Sequence, residues 1–218
     1  MKKGHRKMSD SDMTTSLGKN KPVEHSISVI EPVIISASRA TDIPKWYAEW
    51  FFNRLKIGYT IWKNPFNPNN RQKISFDKTR AIVFWSKDPK PLIEYLPRID
   101  EKGIDYYFQF TLNDYEKENL EPNLPSLDKR IETFKELSKK IGKEKVIWRF
   151  DPLILSKELT PEILLRRIEY IGNQIHEFTE KLVISFVDIS EYNLVKQRLD
   201  KSNKNYQEFT PQEMLTIA

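Results

Sequence analysis

Six short runs rich in β-branched and aromatic residues recur along this chain, at 33–38, 59–63, 81–86, 105–112, 146–150 and 181–188. Each is too short for a helix and too apolar for a loop, as in strands buried on both faces. Helical patterns lie between them. Pro44 opens one over 45–57, which Gly58 ends, and another covers 91–102 before Gly103. Ser126 caps a third, with Leu127, Ile131, Phe134, Leu137 and Ile141 on one side and Gly142 at its end. Thr160-Pro161 starts the clearest, with Leu164, Ile168, Ile171, Ile175 and Phe178 in one stripe. Ser190 opens a further helix over 191–199. After the loop 64–70, residues 73–76 are expected to pair nearby as a hairpin. The alternation predicts an α/β fold with parallel strands and outer helices, a partial (β/α) barrel of TIM type with about six strands. A complete barrel of that type has eight strands, and Thr210-Pro-Gln-Glu213 begins a capped helix with Ala218 only five residues beyond Glu213. The sequence is therefore expected to hold a barrel truncated at its C-terminus.

Composition removes several function classes. Cysteine is absent, which excludes disulfides, thiolate zinc sites, thiolate-bound clusters and a cysteine nucleophile within this chain. The six glycines are too far apart to build a phosphate loop or a dinucleotide fingerprint. The three histidines, His5, His25 and His176, have no metal-ligand spacing and support no Ser/His/Asp triad. The net charge is +5, but six basic residues against two acidic ones in the first 23 supply four of those charges. Residues 1–28 are expected to be a disordered basic tail, able to add weak, salt-sensitive affinity for polyanions, and 29–218 the incomplete barrel domain. No apolar run reaches the length of a membrane span, and the first 30 residues lack an apolar signal core, so a cytoplasmic location is expected.

In a parallel barrel the functional groups sit at the carboxyl ends of the strands, and side chains alternate between the interior and the helix layer. On the fifth run Arg149 and Asp151 share a face opposite Val146, Trp148 and Phe150. On the fourth, Tyr107, Gln109 and Thr111 oppose Tyr106, Phe108 and Phe110; on the sixth, Ser185 opposes its apolar neighbours; on the first, Ser36 and Ser38 do. Such polar groups inside a fold are costly unless paired, so they mark a water-lined cavity, a ligand site or an internal ion pair of Arg149 with Asp151 or Asp42. The loop after the first run offers Arg39 and Asp42, as an anion clamp or a helix cap. Asn64 and Lys87 follow the second and third runs, and the polar segment 113–125 is long enough to carry a role. The expected substrate-binding residues are Arg39, Asp42, Asn64, Lys87, Gln109, Arg149 and Asp151.

Several of these stretches together resemble a known family. Ser36-Ala-Ser-Arg-Ala-Thr-Asp-Ile-Pro44 with Trp46-Tyr47 and Trp50-Phe51, Asn64-Pro-Phe-Asn67, Val83-Phe-Trp-Ser-Lys87, Tyr107-Phe-Gln-Phe-Thr111, Leu120-Glu-Pro-Asn123 and Val146-Ile-Trp-Arg-Phe-Asp-Pro152 occur in the order seen in the bacterial domain of unknown function 1848. The resemblance covers roughly 33–218 and carries over no catalytic residue. Members of that family continue further and bear a cysteine cluster similar to that of radical S-adenosylmethionine enzymes. The resemblance thus implies the barrel part of an iron–sulfur, radical-type enzyme family. An iron–sulfur cluster and S-adenosylmethionine are expected only in full-length relatives, since this chain has no cysteine. The alternative is a non-enzymatic module that binds a small ligand or nucleic acid through its tail and aromatic loops. Expected partners are a small-molecule or macromolecular substrate and, through free sheet edges, other copies of the chain.

Overall fold

The computed structural model describes residues 28–38, 41–64, 67–189, 197 and 205–218. Of the tail expected over 1–28, residues 1–27 lie outside the described residues while Ser28 begins β1; Arg39 lies outside them too, as does the helix expected over 191–199 apart from residue 197. In chain order the elements are β1 (Ser28–Ile30), β2 (Ile34–Ala37), α1 (Ile43–Trp46), α2 (Ala48–Ile57), β3 (Tyr59–Asn64), β4 (Asn67–Ser75), β5 (Ala81–Ser86), α3 (Lys90–Ile93), α4 (Pro97–Asp100) and β6 (Asp105–Thr111). There follow α5 (Leu127–Ile141), β7 (Val146–Leu153), β8 (Leu155–Ser156), α6 (Pro161–Ile175), β9 (Leu182–Phe186), β10 (Tyr206–Gln207) and α7 (Pro211–Ile217).

Five strands form one parallel sheet in the order β2-β5-β6-β7-β9. Each strand lies beside the one that precedes it in the series, so the sheet grows in a single direction. The registers join Ser36 to Val83, Val83 to Tyr107, Gln109 to Ile147 and Arg149 to Val183. The sheet is open, with β2 and β9 at its edges among the described residues.

The second apolar run departs from expectation. β3 is not in the parallel sheet; it pairs antiparallel with β4, which pairs parallel with β1. Only five of the six expected strands are therefore parallel neighbours. The reason is the connection. A parallel neighbour needs a crossover of a dozen or more residues, usually a helix, whereas 59–64 runs almost directly into 67–75. The expected hairpin is formed, with Ile61 opposite Lys73. The helix expected over 45–57 is split at Tyr47, whose φ and ψ of −135° and 25° interrupt it. The helix expected over 91–102 is reduced to the two single turns α3 and α4.

One face of the parallel sheet carries the core. Phe84, Phe108, Phe110, Trp148 and Phe150 are buried there with Phe134 and Leu137 of α5 and Leu164 and Ile171 of α6. Phe84 stacks on Phe108 at 5.0 Å between ring centroids, and Phe110 meets Phe134 at 5.1 Å. The buried Trp148 indole donates to the Leu112 carbonyl at 3.0 Å, so the polar end of that ring is satisfied inside the layer. The C-terminal segment joins this core: Phe209 meets Phe186 at 4.9 Å, and α7 starts with the predicted capping box, Thr210 and Glu213 bonding each other's backbone N–H groups. The opposite face is less covered, with Ile34 64% and Trp85 37% exposed. No helix among the described residues is long and apolar enough to cross a membrane.

Phe108 lies at the centre of the buried layer, fully enclosed. Phe108→Ala is expected to cost about 3–5 kcal/mol through lost burial and the cavity left behind. Urea unfolding followed by far-ultraviolet circular dichroism would show this as a midpoint far below the parent's, or as no folded baseline at all.

Candidate functional site

The layer of rings on one face sends every alternate side chain to the other. At the carboxyl end of the sheet these alternate positions are Trp85 on β5, Gln109 and Thr111 on β6, Arg149 and Asp151 on β7, and Ser185 on β9. Arg149 is held on three sides. Its Nε donates to Asp151 Oδ2 at 2.9 Å and Nη2 donates to the same oxygen, while Nη1 donates to Gln109 Oε1 at 3.2 Å. Its guanidinium lies 4.8 Å from the centroid of the Trp85 ring, a cation–π contact. Ser185 Oγ donates to the other oxygen of Asp151. The expected internal pairing of Arg149 with Asp151 is thus present, and it stays partly open to solvent, with side chains 14% and 25% exposed.

Loop 112–126 supplies the next ring of groups. Asn113 is buried and bonds Asp151 twice: its Oδ1 accepts from the Asp151 backbone N–H at 2.9 Å, and its Nδ2 donates to the Asp151 carbonyl at 3.1 Å. Nδ2 also lies 3.3 Å from Glu121 Oε1, which accepts from the Lys87 ammonium. Behind Glu121 is the enclosed guanidinium of Arg130, 3.6 Å away. Arg167 of α6 grips Glu118 with two bonds of 2.8 Å and donates to the Asp114 carbonyl. The loop is therefore tied to the helix layer by two cations. Between it and the end of β7 is a cleft of about 300 Å³, with Lys87, Asn113 and Glu121 at its polar end and Leu120, Leu124 and Ile154 among its apolar walls.

Asp42 has a different part. It caps α1, and its carboxylate accepts from the Lys45 N–H at 3.0 Å, Ser86 Oγ at 2.8 Å and the Lys87 N–H at 2.8 Å. It ties the loop after β2 to the end of β5. Burial raises its pKa above the usual 3.8, outweighing the three bonds that favour the charged form, and nearby Asp88 adds to the rise. Ser38, just before it, has φ of 139°, in the region that favours glycine, and its buried hydroxyl has no partner among the described residues.

Of the seven residues expected to bind substrate, Asp42, Lys87, Gln109, Arg149 and Asp151 are at the carboxyl end of the parallel sheet. Asn64 ends β3 in the hairpin sheet instead, because its strand left the parallel order. Arg39 lies outside the described residues. Asn113 and Glu121 were not among the expected binding residues; the length of segment 113–125 was the signal for both, and Glu121 also falls in the Leu120–Asn123 stretch of the family resemblance. Ser185 was visible through the alternation of its strand, and Trp85 only as part of the Val83–Lys87 stretch.

A thiolate-bound cluster does not fit this chain, which has no cysteine. The family model described as Domain of unknown function (DUF1848) matches residues 34–218. No curated protein matches the chain.

Asp42 yields a pH prediction. Its folded pKa is above the unfolded value, so between the two the native state holds more protons than the unfolded one. The stabilising contribution is complete below pH 3.8 and is lost as pH rises through the folded value. Carboxyl-carbon NMR should find Asp42 titrating above the exposed aspartates. Asp42→Asn should flatten that part of the stability profile, while at neutral pH costing about 1–3 kcal/mol, because its amide cannot accept from the Lys87 N–H as the second oxygen does.

Proposed function

The chain belongs to the domain of unknown function 1848 family, and from its geometry we propose that it is the ligand-binding part of an enzyme of barrel type, its ligand held at the carboxyl end of the parallel sheet against Arg149. The single observation that carries this is the presentation of that guanidinium. It is held 4.8 Å from the centroid of the Trp85 ring by Asp151 and Gln109, with two of its five N–H groups without a partner among the described residues and part of it open to solvent. An arginine immobilised in this way loses little freedom on binding an acceptor-bearing ligand. Ser185 and Gln109 stand beside it as further polar contacts.

The sequential strand order supports a relation to TIM-type barrels rather than to doubly wound sheets, whose order reverses at a switch point. Redox or radical chemistry is the reaction class that the family resemblance supports. With no thiolate here, no step is assigned through a cluster, and any cluster or S-adenosylmethionine chemistry belongs to cysteine-bearing relatives. The edges β2 and β9, unpaired among the described residues, and the half-covered sheet face support self-association, and a cytoplasmic setting suits the absence of cysteine. Nucleic-acid binding is the weaker reading. At the sheet end each cation has a carboxylate beside it, Lys87 with Glu121, Arg130 with Glu116 and Glu121, and Arg149 with Asp151, which leaves single partly open cations and not the extended positive surface that a polyanion needs.

The test is a screen of small carboxylates, phosphates and nucleobases by shifts of the Trp indole N–H signals. Hits are then repeated on Arg149→Met and Asp151→Asn. Both variants should lose the hits while melting within about 4 °C of the parent, since a ligand site is often not optimised for stability. Melting points that collapse in both, with ligand shifts intact, would make the pair structural. Anaerobic reconstitution with iron and sulfide supplies a further check. The chain should retain less than about a tenth of an iron atom, as clusters require thiolates.

A further inference from the structure

We propose that the cleft between loop 112–126 and the end of β7 is a second ligand site, separate from the Arg149 guanidinium, and that it takes a compact monocarboxylate. The carboxylate would pair with the Lys87 ammonium, and the apolar body would lie against Leu120, Leu124 and Ile154.

The sign of the ligand follows from which charge can be reached. Glu121 is enclosed, with its side chain 11% exposed; its Oε1 accepts from Lys87 and Asn113, and its Oε2 is buried 3.6 Å from the Arg130 guanidinium, with no hydrogen bond among the described residues. Arg130 cannot leave it, since that guanidinium is buried under the loop. Lys87 is the opposite case. Its side chain is 40% exposed, and among the described residues its ammonium donates to Glu121 alone, which leaves two N–H groups. The charge that an incoming molecule meets is therefore positive.

The number of charges follows from the backbone. A phosphate is usually cradled by free N–H groups at a helix start. Here the Lys87 N–H is taken by Asp42, the Asp88 N–H by Ser86 Oγ and the Leu127 N–H by Glu116. One accessible ammonium without a cradle matches a single negative charge. The volume of about 300 Å³ holds roughly ten waters at ~30 Å³ each, so the ligand has about ten non-hydrogen atoms. The walls are mostly apolar, and a charged head on a short hydrocarbon body meets both ends of the cleft.

Hexanoate is the probe, with hexan-1-ol as its uncharged match, and amide shifts of the whole chain are the readout. Hexanoate should give saturable shifts at Leu120, Leu124 and Ile154, and hexan-1-ol should bind at least tenfold more weakly. Lys87→Met should weaken hexanoate at least tenfold. Leu124→Glu, on the rim, should do the same by charge repulsion, and decides the matter should the lysine variant fail to fold. Arg149→Met should leave hexanoate binding within about twofold, so this site can fail without the Arg149 site failing, and the reverse. The proposal is overturned by equal binding of acid and alcohol, by unchanged binding in a folded Lys87→Met, by inorganic phosphate outcompeting hexanoate, or by no saturable shift at those three residues.

Discussion

Burial of the phenylalanine layer under α5, α6 and the short helices is the constraint on which the rest of this molecule depends. Phe84, Phe108, Phe110 and Phe150 are fully enclosed, and each contributes about 1.5–3 kcal/mol by leaving water. A partly exposed ion pair contributes about 0–1 kcal/mol. The rings therefore decide the register of the strands, and the polar residues between them go where alternation sends them. Arg149 and Asp151 stand on the open side because Trp148 and Phe150 stand on the closed one. A slip of one residue would bury the pair and expose the rings, at a cost that no arrangement of charges could offset.

How much of this was legible in the sequence depended on whether the information was local. The five parallel strands announce themselves as apolar runs, and the starts of α6 and α7 as Thr-Pro pairs whose threonines accept the expected backbone bonds. Alternation alone assigned Gln109, Arg149 and Ser185 to a common side. The 59–63 run misled because composition does not distinguish a buried parallel strand from a hairpin arm. Its neighbour at 67–75 did hold the answer, since no helix-length crossover separates 64 from 67. Tyr59–Asn64 also carries the exposed Ile61 and Trp62, so its apolar look reflects β-propensity and not burial. Asn113 and Glu121 were out of reach for another reason. Their partners are Asp151, Lys87 and Arg130, and only the folded sheet brings those chain-distant groups to one loop.

The same loop shows how charge is accommodated at the sheet end. Two guanidiniums, Arg130 and Arg167, come from the helix layer and would be costly to bury alone. Each is met by carboxylates of the 114–121 segment, which in turn gains a fixed position without regular secondary structure. A segment that the sequence presents only as a long polar loop is thus an ordered wall, tied down by cations from α5 and α6.

Asn113 has a consequence for how the two halves of this region behave together. One amide side chain holds the backbone of Asp151 with both its oxygen and its nitrogen, and that same Nδ2 also lies beside Glu121. Its orientation cannot serve one neighbour without affecting the other. Turning that amide over would set its oxygen against the Asp151 carbonyl and the Glu121 carboxylate at once, so one side chain holds the end of β7 and the loop to a single geometry.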